Sequence, residues 1–328
     1  MKFTIGFDQK DKEKIFASFE EIVACQKWTE AKFTQAFEEK WAAYHDSYAV
    51  AFSSWSGAAL AALEYYNLRN RTVLCPSNTF MATPLVNMHL GCTVEFVDCN
   101  RFDLCMSFDD LKKKIKQYKP SAVWLVHIGG HIAFEVNEIT AFCKKEGIIV
   151  LEDCAHAHGA SWNKKRAGIW ADAGIYSLYA TKTITTGEGG VLITKDKKLI
   201  EFAKQYRNYG KFDYQVQGLN FRMSEFTAAI GCVEIDRLDS IVGWKNDYAK
   251  KYLDPKFQDR VKLPEGMISG YYKYIIFDEI EKSTGKVYDQ PCHHILKKKY
   301  RLPNTEWVAN HHWCVPLYYK GNEKENCP

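Results

Sequence analysis

The feature that most constrains this chain is an alternation of short apolar runs with segments of helical periodicity. The apolar runs lie at residues 48–52, 72–75, 93–97, 121–127, 148–152, 174–178 and 190–194. Helix-like segments lie between many of them, at 56–66, 79–89, 107–117 and 134–146, and two amphipathic segments precede them, at about 10–24 and 29–44. Strands that alternate with helices form crossover units, which build a mostly parallel sheet covered on both faces. The pattern therefore predicts an α/β fold.

The pattern changes near residue 240, where aromatic residues and lysines become dense, apolar runs shorten and His-rich turns appear. A chain of 328 residues also exceeds the usual size of one compact domain. We therefore predict a large α/β domain over residues 1–239, which includes the N-terminal helices, and a smaller α+β C-terminal domain over residues 240–328.

Composition and charge restrict the class of protein. With 46% hydrophobic and 26% charged residues the composition is that of a globular protein, and a net charge of +4 gives no indication of a nucleic-acid partner. Eleven cysteines without a repeated spacing favour reduced thiols over a disulfide framework. Residues 1–14 lack the apolar core of a secretory signal, and no run reaches the ~18 apolar residues of a spanning helix. We therefore expect a cytoplasmic protein without a membrane partner.

The residues that follow the predicted strands are the candidates for chemistry, because ligands bind at the carboxyl ends of the strands in such sheets. Asp153 follows one apolar run, Ser177 ends another, and Lys182 comes five positions later, before the turn Gly187-Glu188-Gly189-Gly190. A single lysine is usually surface charge. This one stands between an apolar strand and a glycine-rich turn, so we expect it inside a site, where burial can make it a Schiff-base nucleophile.

Two further segments carry candidate binding residues. Ser56 and Gly57 lie at a predicted strand-to-helix turn, where unpaired backbone N–H groups suit a phosphate, although a capped helix packed on the sheet explains them equally well. Phe80 follows another strand and could stack on a flat ring, or simply belong to the core.

In this order and spacing, these elements resemble the DegT-type sugar aminotransferases, which are fold-type I pyridoxal phosphate (PLP) enzymes of the aspartate aminotransferase superfamily. The resemblance runs from about residue 30 to 240 and includes the family's Gly-x-Asn-x-Arg-Met segment, here residues 218–223. Beyond 240 it weakens to Tyr271-Tyr272-Lys273-Tyr274 and Pro316-Leu317-Tyr318. It implies a PLP-dependent aminotransferase of amino-sugar or polysaccharide biosynthesis.

The resemblance also implies roles for the residues around the cofactor ring. Lys182 would carry PLP as a Schiff base and transfer a proton during the reaction. Asp153 would pair with the pyridine nitrogen and keep it protonated, which makes the ring an electron sink. Phe80 would stack on the ring, and His156 takes the place of the family's Gln or His near the ring hydroxyl.

For the phosphate of PLP, the resemblance implies contacts from Ser177 and from the backbone of Ser56 and Gly57. The family's Asn, here Asn220, reaches the phosphate of the neighbouring subunit, which implies a homodimer with shared sites. Relatives usually have Ser-Gly-Thr where this chain has Trp55-Ser56-Gly57, so the Thr hydroxyl is absent from the phosphate site.

The implied reaction is a ping-pong transfer from an amino acid, L-glutamate by family habit, through pyridoxamine phosphate to a nucleotide-linked keto-deoxyhexose. Because the chain is short in its C-terminal domain, a keto-octulosonate or a cyclitol ketone stays open as the acceptor. A PLP-dependent sugar dehydratase and a non-catalytic PLP-fold binding protein are the remaining alternatives. Lys182 argues against the dehydratase, because that branch of the family has His in its place.

Other kinds of site find less support. We find no Gly-x-Gly-x-x-Gly between a strand and a helix, as a nicotinamide dehydrogenase requires, and no Walker motif. Cys292-His293-His294 and His311-His312-Trp313-Cys314 contain metal-ligand residue types without the spacing of a structural zinc site, so we predict no metal. His293 or His294 could instead contact the substrate.

Overall fold

The computed structural model describes residues 5–211 and 213–320. Its main sheet has seven strands in the order β1-β9-β8-β5-β4-β2-β3. In chain order the first nine strands are β1 (Tyr48–Phe52), β2 (Thr72–Pro76), β3 (Thr93–Val97), β4 (Ala122–Val126), β5 (Ile149–Asp153), β6 (Ser161–Trp162), β7 (Lys165–Arg166), β8 (Ala173–Ser177) and β9 (Gly190–Thr194). The five strands from β8 to β3 pair in parallel, whereas β9 is antiparallel to both β8 and β1.

Helices cover both faces of this sheet. In chain order the helices of the described residues are α1 (Gln9–Cys25), α2 (Lys32–His45), α3 (Trp55–Tyr65), α4 (Ala82–His89), α5 (Phe108–Tyr118), α6 (Val136–Lys145), α7 (Lys197–Tyr206), α8 (Glu225–Tyr248), α9 (Cys292–Ile295) and α10 (Pro303–Asn310). One apolar core includes side chains of α2, α5, α6 and α8, and the other includes side chains of α3, α4 and α7. Every residue of β4, β8 and β9 is buried, as expected for strands covered on both faces. The predicted α/β fold is confirmed.

The elements after α8 form a smaller assembly. A π-helical turn at Ala249–Leu253 extends α8, and β10 (Met267–Ile268), β11 (Tyr274–Ile276) and β12 (Trp313–Val315) follow. β11 pairs with β12 over a separate apolar cluster, whereas β10 returns to pair with β6.

The predicted domain boundary after residue 239 falls within α8, so one helix connects the two parts. The division into two domains stays a prediction, and residues 1–4 and 321–328 of those predicted domains lie outside the described residues. Within the described ranges, each helix is too short or too polar to cross a bilayer.

Candidate active site

A cavity of about 530 Å³ opens at the carboxyl ends of β4, β5 and β8. Its floor carries Val126, Asp153 and Ser177, which are the last residues of these three strands. The first turn of α3, residues 79–82 and the loop after β8 form its sides, and residues 272–273 and 286–290 from the C-terminal part complete its wall. The cavity therefore lies at the sheet edge where the sequence predicts a ligand.

Lys182 enters this cavity from the turn after β8, where its backbone N–H donates to Tyr179 O at 2.9 Å. Its Nζ lies 4.8 Å from the centre of the Tyr272 ring. Burial lowers the pKa of Lys182 to about 8, although the charge of Asp153 opposes the shift, and Lys273 lowers the pKa further. A tenth or so of this amine is therefore neutral near pH 7, which makes it a far better nucleophile than an exposed lysine.

Asp153 is held by two hydrogen bonds on the cavity floor. Thr83 Oγ1 donates to its Oδ2 at 2.9 Å, and the backbone N–H of Ala155 donates to its Oδ1 at 3.1 Å. Burial raises the pKa of Asp153, while these two bonds and the charge of Lys182 oppose the rise. A buried carboxylate in this setting would be stabilised by a cationic group placed in the cavity.

His156 forms one side of the cavity together with two tyrosines. Its ring stacks on Tyr272 with centroids 4.2 Å apart, and its Nε2 lies 3.4 Å from the hydroxyl of Tyr288. Its Nδ1 is buried and makes no hydrogen bond with any described residue. Burial holds the pKa of His156 well below its usual value, so the ring is neutral and its free nitrogen can pair with a polar ligand group.

The beginning of α3 supplies an anion site. Ser54 caps the helix by accepting the N–H of Gly57 at 3.2 Å, whereas the N–H groups of Trp55 and Ser56 make no hydrogen bond within the described residues. Ser54, Trp55 and Ser56 line the cavity, as does Ser177 across from them. Unpaired N–H groups in a helix's first turn, with hydroxyls beside them, suit a phosphate.

Gly190 at the start of β9 and Gly57 within α3 both lie where a Cβ would clash, but with different groups. A Cβ on Gly190 would lie 2.4 Å from the carbonyl oxygen of Ser54, so the strand can approach the helix only as glycine. A Cβ on Gly57 would lie 2.8 Å from the ring of Phe221. Gly57 does not line the cavity, and close packing against Phe221 explains why this position is glycine. The predicted contact of Gly57 with a phosphate stays a prediction.

The cavity thus collects six of the eight residues singled out from the sequence, namely Ser56, Phe80, Asp153, His156, Ser177 and Lys182. Phe80 is 64% exposed at its rim. Asn220 is exposed and does not line the cavity of its own chain, and its Oδ1 accepts the N–H of Arg222 at 3.2 Å.

Sequence reasoning missed several residues that line the cavity or hold its side chains in place. Thr83, which holds Asp153, lies in a segment read only for its aromatic residue, while Tyr288 and Lys286 come from the C-terminal part. Tyr272 and Lys273 belong to the short late stretch that resembles the family, which was the one signal available for them.

The predicted substrate contacts of His293 and His294 find no support in the geometry, because neither residue lines the cavity. His312 is structural, since its Nδ1 pairs with Val308 O and its Nε2 accepts the N–H of Val287 at 2.8 Å.

The chain is similar in sequence to one family of aminotransferases and to several of its characterised members. The profile of the DegT/DnrJ/EryC1/StrS aminotransferase family matches residues 9–267. GDP-perosamine synthase of Escherichia coli O157:H7 is 32% identical over 234 residues, which are 69% of this chain and 64% of that protein, so the chain spans less than two thirds of this relative. The dTDP-3-amino-3,4,6-trideoxy-alpha-D-glucose transaminase of Micromonospora megalomicea subsp. nigra is 28% identical over 338 aligned residues, 93% of this chain and 88% of that protein.

Solved structures show the same fold. The crystal structure of a DegT DnrJ EryC1 StrS aminotransferase from Brucella abortus superposes with a TM-score of 0.89 at 22% identity, and the match covers 97% of this chain and 93% of that one.

Proposed function

Because this chain belongs to the DegT/DnrJ/EryC1/StrS aminotransferase family, we propose that it is a PLP-dependent aminotransferase that moves an amino group from an amino acid to a keto-sugar. The observation that carries the proposal is that a partly deprotonated Lys182 and a buried Asp153 lie in one cavity, beside two unpaired N–H groups at the start of α3.

The residues of the cavity fit PLP group by group. The N–H groups at the start of α3 and the hydroxyl of Ser177 would hold the phosphate. Asp153 would pair with the ring nitrogen, and the unpaired Nδ1 of His156 would meet the ring hydroxyl. Phe80, exposed at the rim, would cover one face of the ring.

When bound, PLP supplies the electron sink that stabilises negative charge at the carbon from which a proton is removed. The chain supplies the proton transfers and the fixed charges. Lys182 is the base and acid because its pKa of about 8 lets it lose and regain a proton near neutral pH. Asp153 would hold a positive charge on the ring nitrogen, and Thr83 keeps the carboxylate oriented by its hydrogen bond.

Basic and aromatic residues at the mouth support an anionic sugar substrate. Lys286 is unsuited to bind it, because its Nζ donates to the carbonyls of Asn310 and His312. Lys273 lines the cavity, and the one contact of its ammonium group among the described residues is a cation–π contact with Tyr272. Lys273 is therefore the cation for a phosphate or carboxylate of the substrate. We propose a nucleotide-linked keto-deoxyhexose as the acceptor, since similar proteins are named for GDP- and dTDP-linked amino sugars.

We propose L-glutamate as the donor and a ping-pong order, in which both substrates use the same cavity in turn. A keto-octulosonate or a cyclitol ketone is the alternative acceptor. These acceptors differ at Lys273, because a keto-octulosonate offers that cation a carboxylate whereas a cyclitol ketone offers it no anionic group.

The test is an absorbance spectrum of the protein with PLP before and after the addition of glutamate. A band near ~410–430 nm that is replaced by a pyridoxamine phosphate band near ~330 nm is expected for the first half-reaction of a PLP electron sink. Lys182→Ala should not convert, whereas Lys113→Ala, an exposed helical lysine, should behave as the wild type. Conversion by Lys182→Ala at the normal rate would contradict the assignment.

We also propose a homodimer in which Asn220 completes the partner's phosphate site, because this side chain is exposed and lies outside its own cavity. Mixing inactive Lys182→Ala and Asn220→Ala proteins gives hybrids with one intact site if Asn220 acts across the dimer. Random re-association should then restore about a quarter of the wild-type activity in a symmetric dimer. A mixture without recovery would place Asn220 in its own chain's site or outside the site.

A further inference from the structure

Three side chains with metal-ligating atoms meet where the short helix α9 packs near α10. His293 and His294 come from α9 and Glu306 comes from α10. One ligand atom from each residue lies within 4.8 Å of the others. None of the three lines the cavity that holds Lys182, so the cluster is separate from the proposed active site.

His293 is the residue that points to a ligand. Its side chain is fully buried, yet its Nε2 makes no hydrogen bond with any described residue. The nearest carboxylate oxygen, Glu306 Oε1, lies 3.7 Å away, which is too long for a hydrogen bond. Buried polar atoms in folded proteins are almost always paired, so an unpaired ring nitrogen facing a carboxylate and a second imidazole needs a partner.

The other nitrogen of His293 is already held. Its Nδ1 lies 2.6 Å from Ser77 Oγ, which also accepts the backbone N–H of His293 at 3.1 Å. In the tautomer with Nδ1–H as the donor to this oxygen, the Nε2 carries a free lone pair. Metal-bound histidines are oriented in the same way, by a hydrogen bond from the nitrogen that does not bind the ion.

The remaining two ligands can adjust to an ion. The ring of His294 is exposed, with its centre 4.2 Å from that of His293, and the side chain of Glu306 is 41% exposed. Rotation of these two side chains can close the ligand spacing to that of a tetrahedral site, with water as the fourth ligand.

We propose that His293, His294 and Glu306 bind a divalent transition-metal ion, with Zn²⁺ as the preferred ion. Two imidazoles and a carboxylate are the ligand types that Zn²⁺ takes, whereas Ca²⁺ and Mg²⁺ prefer oxygen ligands throughout.

The ion would fix the position of α9 next to the active-site cavity. Gln290 and Ile295 line that cavity and flank the two histidines in the chain. A bond from α9 to Glu306 would tie this wall to α10, and the ion would stabilise the folded state because it binds only the assembled cluster.

The experiment uses the full chain with PLP bound, equilibrated with Zn²⁺ and then analysed for metal content and for affinity by competition with a chromophoric chelator. We expect wild type to retain about one more Zn²⁺ per chain than His294→Gln or Glu306→Gln, and the affinity of each variant to fall by ~10- to 100-fold or more. Both residues are exposed or half-exposed, so the variants should fold.

His89→Gln is the matched control, because His89 is also exposed at the end of a helix and lies outside the cluster. Wild type and the three variants all keep the exposed thiol of Cys25, so any zinc bound there adds equally to each metal content and cancels in the comparison. Saturating Zn²⁺ should also raise the melting temperature of wild type and His89→Gln only. Equal zinc content in wild type and both ligand variants, or an equal loss in His89→Gln, would overturn the proposal.

Discussion

Replacement of Lys182 by Met should make the cofactor-free protein more stable near pH 7. The lysine charge is costly where it lies, since burial lowers its pKa from 10.5 to about 8. Met keeps most of the aliphatic chain and removes the ammonium group, so the variant escapes this cost.

The magnitude follows from the pKa shift. At ~1.4 kcal/mol per pKa unit the shift corresponds to about 3.5 kcal/mol, and partial solvent contact of Lys182 reduces the expected gain to about 1–3 kcal/mol. For a chain of this length, with an unfolding entropy of ~2 cal/mol/K per residue, that gain raises the melting temperature by about 1.5–4.5 °C.

The sign of the pH dependence is a second test. The unfolded chain keeps Lys182 protonated up to its ordinary pKa, whereas the folded chain releases the proton at about pH 8. The cost is therefore complete below about pH 8 and disappears as the pH rises towards 10.5, so the advantage of the variant at about pH 9.5 should be less than half of that at about pH 7.

The assay is thermal unfolding of both proteins without PLP across this pH range, with Lys113→Met, an exposed helical lysine, as the control. The control should change stability by no more than ~0.5 kcal/mol at any pH. A Lys182→Met protein that is no more stable than wild type near pH 7, or an advantage that does not change with pH, would refute a desolvated lysine at this position.

Three other substitutions test the surroundings of Lys182. Asp153→Asn should lower the rate of the glutamate half-reaction by at least ~100-fold while PLP still binds, because an amide does not hold the positive charge on the ring nitrogen; a variant at full speed would remove Asp153 from that role. Thr83→Val should lower the same rate by ~3- to 30-fold through the loss of one hydrogen bond to a charged group, which single-turnover kinetics can measure. Gly190→Ala should weaken PLP binding at least ~10-fold in a fluorescence titration, since a Cβ would clash with the backbone of Ser54. The control is Gly243→Ala in α8, where a Cβ meets no atom; this variant should bind PLP normally and become more stable by up to ~1 kcal/mol.

The main sheet was predictable because its strands are buried on both faces. Such strands appear as short continuous apolar runs, and the seven predicted runs match β1–β5, β8 and β9 with ends displaced by no more than two residues. Helix starts were less predictable. The segment predicted from residue 79 becomes helical only at Ala82, because residues 79–81 form the side of the cavity before α4 begins.

The part of the site built by the sheet was predictable for the same reason. Asp153 and Ser177 end neighbouring strands, so topology alone brings them together. Tyr272 and Tyr288 reach the same cavity from beyond α8, at a distance in sequence that no local pattern encodes. The cluster of His293 and Glu306 has the same origin, because its ligands are brought together by the packing of two helices and have no motif spacing.

Buried charged groups occur both in the candidate site and elsewhere in the protein. Some buried charges are neutralised by partners: Glu152 pairs with His127 at 2.9 Å and accepts three backbone N–H groups, and Arg207 pairs with Glu38. Lys245 is a second buried lysine with a pKa lowered to about 8, and its Nζ donates to Tyr271 O at 2.9 Å. In the cavity, Asp153 and Lys182 share a site without a direct ion pair within the described residues, which costs the fold stability. Glu152, one residue before Asp153, has two hydrogen-bond donors for each of its carboxylate oxygens. The same fold therefore could have supplied a cationic partner for Asp153. We therefore infer that a ligand supplies the missing partners of Asp153 and Lys182. The predicted gain in the free energy of unfolding of Lys182→Met measures the stability that the protein loses by burying the lysine charge.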